Sequence, residues 1–141
     1  MSSHKSRRSF IKKTAIGAGI FIVPRNVLGG PGYISPSDQL NLAAIGSGGK
    51  GISDIANASV NGRERVAALC DVDFSGSASR SVKRFPNAKL YSDFREMLDK
   101  EKDIDAVTIS TPDHAHAPAA VYAMERDKHV YVQKPITHNI R

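Results

Sequence analysis

The residues best suited to chemistry in this chain are a glycine cluster and a carboxylate that follows it at a fixed distance. Gly46-Ser47-Gly48-Gly49-Lys50-Gly51 fits the pattern G-x-G-x-x-G through Gly46, Gly48 and Gly51, and Asp71 stands twenty residues after the third glycine. Glycines at these spacings permit a tight turn, close backbone approach to a diphosphate, and close packing of the following helix on its strand. The start of that helix offers N–H groups and the positive end of its dipole to the phosphates. Asp71 would accept hydrogen bonds from adenosine ribose hydroxyls and repel a 2′-phosphate. The expected cofactor is therefore NAD rather than NADP, with Arg80 or Lys83 as cations able to compensate. A nucleoside-triphosphate P-loop is the rival encouraged by Gly49-Lys50. It fails because Gly51 stands where a Ser or Thr should hold magnesium and Ala44 where the first glycine belongs.

This chemistry requires a strand before the glycines and a helix after them. Apolar runs at 40–45, 65–70, 89–91, 106–110 and 129–133 read as strands, most of them continuous enough to be buried on both faces. Between them Ile52, Ile55, Ala56 and Val60 fall on one helical face. Phe74, Ala78, Val82 and Phe85 do so in the next segment, followed by Phe94, Met97 and Leu98 and by the Ala-rich stretch 117–126. Strand and helix in alternation imply an α/β protein with a Rossmann-type, doubly wound parallel sheet.

Residues 39–141 are assigned to this domain, 30–38 to a Pro, Gly and Ser rich linker, and 1–29 to an export signal. The chain has 141 residues and a formal charge of +6. Lys5, Arg7, Arg8, Lys12, Lys13 and Arg25 precede the linker without an acid among them. Removing those six from 20 Lys and Arg leaves 14, against 14 Asp and Glu. The remainder is neutral, which argues against a nucleic-acid partner. Ser6-Arg7-Arg8-Ser9-Phe10-Ile11-Lys12 resembles a twin-arginine signal, and the apolar stretch 14–23 is too short to span a bilayer but suits a signal core. Cleavage after Gly29 and an uncleaved anchor are both open. Cys70, the one cysteine, excludes an intrachain disulfide and reads as a small core residue.

Two later strand ends carry Thr111-Pro112-Asp113-His114-Ala115-His116 and Lys134-Pro135. Asp113, His114 and His116 have the donor types for a metal but lack a second cluster, so no metal site is assigned. His129 and His138 read as structural or exposed.

The pieces IGSGGKG, CDVD, STPDHAHAPAA and KHVYVQKPIT, in that order and spacing over residues 40–141, make the chain resemble the Gfo/Idh/MocA family of glucose-fructose oxidoreductases and inositol dehydrogenases. The resemblance implies an NAD(P)-binding Rossmann domain whose C-terminal substrate domain is absent from this chain. It also implies oxidation or reduction of a sugar or polyol; a homo-oligomer is expected, and the leader implies passage through the export translocon to the periplasm. The resemblance assigns Lys134 to the reacting hydroxyl beside the nicotinamide, Thr111 and Pro112 to the surface under the cofactor, His116 to the cofactor crevice, and Pro135 to a turn, with a cis bond as in relatives, that aims Lys134. Gln133 departs from the family, where Glu is usual. An NAD-dependent glycosidase of the same superfamily, and a nucleotide-binding unit without turnover, are the alternatives. Because a lone half of the fold would leave a sheet edge uncovered, self-association or marginal stability is expected.

Overall fold

The computed structural model describes residues 34–137. The expected export signal and His138 lie outside the described residues. From Pro36 onward the chain opens with a 3-10 turn, Pro36–Asp38, and then alternates strand and helix. The strands are β1 (Asn41–Ile45), β2 (Arg65–Cys70), β3 (Lys89–Tyr91), β4 (Ala106–Ile109) and β5 (His129–Val132). The helices are α1 (Lys50–Ala58), α2 (Ser79–Arg84), α3 (Phe94–Lys100) and α4 (Asp113–Met124).

All strand pairs are parallel, in the order β3-β2-β1-β4-β5. The chain runs outward from β1 to β3, crosses back over the sheet and resumes at β4, so the order reverses between β1 and β4. In such sheets ligands bind beyond the carboxyl ends of the strands at this switch point.

Alternation along β1 divides the core. Ala43 and Ile45 face one layer with Met97, Leu98, Val107, Ile109 and the alanines of α4, while Leu42 and Ala44 face the other with Ile55, Val66 and Leu69. Val66 and Leu69 are three apart yet share a face because the register with β1 slips between Leu42 and Ala43, which skips Ala67. That slip is a bulge. Fully burying a side chain such as Ile45 or Leu69 contributes about 1.5–3 kcal/mol, and both are at most 1% exposed.

The strand expectations hold to within one residue at each end. Two helical expectations do not. Val60 leaves the helical face: α1 stops at Ala58, and Val60 lies in a separate 3-10 turn (Val60–Gly62), exposed, with φ of 48°. The segment from Phe74 also enters its helix late, because the Asp73 carboxylate accepts from the N–H groups of Gly76 and Ser77 at 2.8 and 3.0 Å and holds a turn there. Phe74 and Phe85 still pack on the core from either end of α2.

Candidate functional site

The glycine loop leaves β1 at Gly46, whose N–H continues the sheet by donating to the Cys70 carbonyl at 2.9 Å. Gly46 has φ of 79°, and a Cβ there would lie 2.8 Å from the Ser110 and Thr111 backbone. Only glycine serves both demands. Gly51 sits in the first turn of α1, where a Cβ would stand 1.9 Å from the Gly46 carbonyl oxygen. The helix therefore begins against the strand end, and its first N–H groups, uncapped by any side chain, supply the anion-binding end of the dipole.

Asp71, just past β2, is tied to this loop. Its Oδ2 accepts from Gly48 N–H at 2.8 Å and its Oδ1 from Asp73 N–H at 3.0 Å. One carboxylate thus joins the loop after β1 to the loop after β2, and each oxygen keeps lone-pair capacity for a further donor.

A cavity of about 740 Å³ opens over these groups. Gly46, Gly48, Gly49, Lys50 and Asp71 line it, as do Thr111, Pro112 and His114 from the loop after β4. Val72, 92% exposed, and Phe94 with Arg95 at the start of α3 form its other wall. Of the anticipated residues, Ser47, Gly51, His116, Lys134 and Pro135 do not line it. Ser47 and Gly51 support the loop from beneath, and Ser47 is fully buried. His116 is 1% exposed and acts behind the wall, its Nδ1 donating to the Pro135 carbonyl at 2.7 Å. Because a carbonyl only accepts, Nδ1 carries a proton. The Lys134–Pro135 bond is cis, and Lys134 itself is exposed.

Sequence reasoning missed Asp54. It is 5% exposed and ion-paired to Lys50 one turn earlier in α1. It accepts from Ser110 Oγ at 2.7 Å and from Gln133 Nε2 at 2.9 Å. Burial opposes its ionisation, but the hydrogen bonds from Lys50, Ser110 and Gln133 outweigh that and hold the carboxyl below its usual value. A carboxylate in the apolar phase of a helix, between Gly51 and Ile55, was the available signal. Cys70, by contrast, is inert: burial first, then the charges of Asp93 and Asp71, push its thiol up to about 12. Among the described residues no group of three His, Cys, Asp or Glu side chains is placed to hold a metal, and no helix is long and apolar enough to cross a membrane.

Whether the cradle suits a dinucleotide can be judged from its own atoms. Gly46, Gly48 and Gly51 are closed to a Cβ, and Thr111 Oγ1, on a residue that lines the cavity, lacks any protein partner. Both features fit a ligand rich in hydroxyl and phosphate oxygens. The sequence pattern of an oxidoreductase family with an NAD-binding Rossmann fold, Gfo/Idh/MocA, matches residues 40–141. The chain belongs to this family. Among its relatives, a glycosyl hydrolase family 109 protein of Solibacter usitatus is 33% identical over 96% of this chain and 34% of its own length. An inositol 2-dehydrogenase of an Arthrobacter strain is 35% identical over 72% of the chain and 30% of its own length. The fold matches myo-inositol dehydrogenase of Lactobacillus casei, solved with NAD(H) and myo-inositol, with TM-score 0.62 and 30% identity over 70% of this chain and 29% of that one. The chain thus spans about a third of the length of these family members. Like them it carries the NAD-binding fold of an oxidoreductase family.

Proposed function

We propose that this chain is the dinucleotide-binding part of an exported, NAD-dependent oxidoreductase that moves hydride between a carbinol carbon of a sugar or polyol and nicotinamide. The arrangement along the carboxyl edge of the sheet carries this reading. In spatial order, β2 leads to Asp71, β1 to the glycine loop, β4 to Thr111 and β5 to Lys134. Three steps of about 4.8 Å separate the outer pair, roughly 14 Å in all, a span suited to an extended dinucleotide.

Asp71 takes the ribose at one end, with Val72 offering apolar surface to the base. The loop and the start of α1 take the diphosphate, and Thr111 Oγ1 lies under the part nearer β5. Bound nicotinamide supplies hydride acceptance. The chain's own contribution is Lys134, which takes the proton from the hydroxyl oxygen as hydride leaves the carbon that bears it.

One observation favours a second reading. Residues 40–141 make up only about 72% of the chain, so a 96% match to the Solibacter protein takes in most of the segment before them as well. A relative that shares this N-terminal segment is named a glycosyl hydrolase, which supports a glycosidase: transient oxidation acidifies the neighbouring carbon, the sugar bond breaks by elimination, water adds in place of the leaving group, and the hydride returns. The export proposal rests on the twin-arginine pattern of the leader, and loss of Arg7 and Arg8 should leave the chain in the cytoplasm on cell fractionation.

Calorimetry of the chain with NAD⁺ tests the binding reading, with Asp71→Ala expected to weaken affinity at least about 10-fold. Absence of heat from folded protein overturns it. Net NADH from polyols marks a dehydrogenase, and sugar release without net NADH marks the glycosidase. Binding with neither marks a nucleotide-binding unit that needs other parts to turn over.

A further inference from the structure

Asp54 joins three elements through one buried carboxylate. Its Oδ1 pairs with Lys50, at the start of α1 and on the cavity wall. Its Oδ2 receives both Ser110 Oγ, at 2.7 Å, and Gln133 Nε2, at 2.9 Å. Ser110 immediately precedes Thr111-Pro112, and Gln133 immediately precedes Lys134-Pro135. A single oxygen therefore pins both strand ends to the helix that opens the phosphate cradle. The far side of the Lys134 turn is pinned too, by His116 donating to the Pro135 carbonyl.

This geometry calls for a donor at position 133. A glutamate there would place a second carboxylate at hydrogen-bond distance from Asp54, in a pocket where the first is already buried. Two such groups cannot both ionise without a large penalty. An amide donates instead.

We propose that Asp54 is a positioning residue: its buried carboxylate fixes the Lys134 turn against the glycine loop, and its presence demands a neutral donor, Gln133, before the lysine. The assignment of a task to Lys134 rests on the oxidoreductase reading above, whereas the Asp54–Gln133 latch does not. Lys50 is the charged group facing Asp54, from its own helix; β4 and β5 face it with Ser110 and Gln133, neither of which titrates.

The test compares Gln133→Glu, Asp54→Asn and the double variant. In the double variant an amide on α1 donates to a carboxylate after β5, so the polarity of the pair is reversed. Thermal unfolding is followed at pH 5 and pH 8, with hydrogen exchange of the 133–137 backbone alongside. In Gln133→Glu the new carboxyl is held in its protonated form by the fold. Its penalty is absent below the ordinary glutamate range and grows as pH rises through the elevated value. The melting temperature should fall by about 5 °C or more relative to wild type at pH 8, and the gap should narrow at pH 5. Exchange at 133–137 should accelerate about 10-fold at pH 8 while β1 is unchanged. The double variant should restore both readouts. If Gln133→Glu does not fold at pH 8, its behaviour at pH 5 and the double variant decide the matter. A Gln133→Glu protein as stable as wild type at both pH values, or a double variant no better than that single one, overturns the proposal. Wild-type protein that fails to bind NAD⁺ in parallel calorimetry would overturn the function of the cradle and leave these outcomes untouched.

Discussion

Gly51 and Gly48 occupy one loop for different physical reasons, and substitution by alanine should separate them. At Gly51 the added methyl meets the Gly46 carbonyl oxygen at 1.9 Å, and both atoms belong to backbone already fixed in the sheet and helix. Neither can yield without moving α1. Gly51→Ala should cost about 3 kcal/mol in urea unfolding despite alanine's better helix propensity. At Gly48 the methyl meets Ser77, with Oγ at 2.6 Å, Cβ at 2.9 Å and the backbone carbon at 3.0 Å; the exposed hydroxyl can turn away, but the Cβ and backbone contacts require the turn after β2 to shift. Gly48→Ala should therefore also lose stability, about 1–3 kcal/mol in urea unfolding, and in addition weaken dinucleotide affinity about 10-fold in calorimetry, because Gly48 lines the cavity and Gly51 does not. The glycines and Asp71 were legible in the sequence because their chemistry is written in short, fixed spacings. Asp54 was not, since its partners Ser110 and Gln133 lie 56 and 79 residues away and only folding brings them to it. His116 was legible as a residue of interest but not in its position behind the wall, which depends on the turn at Pro135.

The elements follow the sequence most closely where burial alone decides them. β1, β2 and β4 are nearly unbroken apolar runs because α1 with Phe74 and Phe85, on either side of α2, covers one face of the sheet and α3 and α4 cover the other. Legibility fails at helix ends, where polar contacts compete with the helix. Asp73 collects backbone N–H groups that would otherwise enter α2, and at Val60 and Asn61 the backbone turns left-handed and ends the α1 region. β3 is the element with least core of its own, with Lys89 and Leu90 exposed, and side chains hold it in place. Tyr91 donates to Glu101 Oε1 at 2.6 Å and Lys89 Nζ to the same oxygen at 2.7 Å, stapling the edge strand to the end of α3. The bond to Glu101, then burial and the glutamate's charge, push the Tyr91 phenol up to about 12. A phenol raised on folding contributes stability that is complete below its unfolded value near 10 and is lost as pH climbs toward 12. Phenolate absorbance should accordingly show a late-titrating tyrosine in wild type, and Glu101→Gln should move that step toward the ordinary value. A wild-type protein with no such late step would contradict the staple.

At the scale of the molecule, β1 is paired on both sides and the cradle is built from the ends of β1, β2 and β4, so ligand binding and global unfolding are linked. Dinucleotide at 100 times its dissociation constant stabilises the folded form by about 2.7 kcal/mol. For a domain of this size that raises the melting temperature by about 10–20 °C. Under the proposed reading, Asp71 decides which dinucleotide does so. A 2′-phosphate on the adenosine ribose would face this carboxylate, and compensating cations are poorly placed. Arg80 and Lys83 lie on α2 and do not line the cavity, while Arg95, which does, is drawn to Asp93 at 3.2 Å. NADP⁺ should therefore bind at least about 10-fold more weakly than NAD⁺, equivalent to about 1.4 kcal/mol and visible as a smaller thermal shift at equal concentration. Asp71→Asn removes the charge and keeps one accepting oxygen, so it gives up one of the two backbone bonds from Gly48 and Asp73; affinity for both nucleotides should fall while the gap between them narrows. Equal shifts for NAD⁺ and NADP⁺ in wild-type protein would show that Asp71 does not meet the ribose, and would place the adenosine elsewhere along the sheet edge.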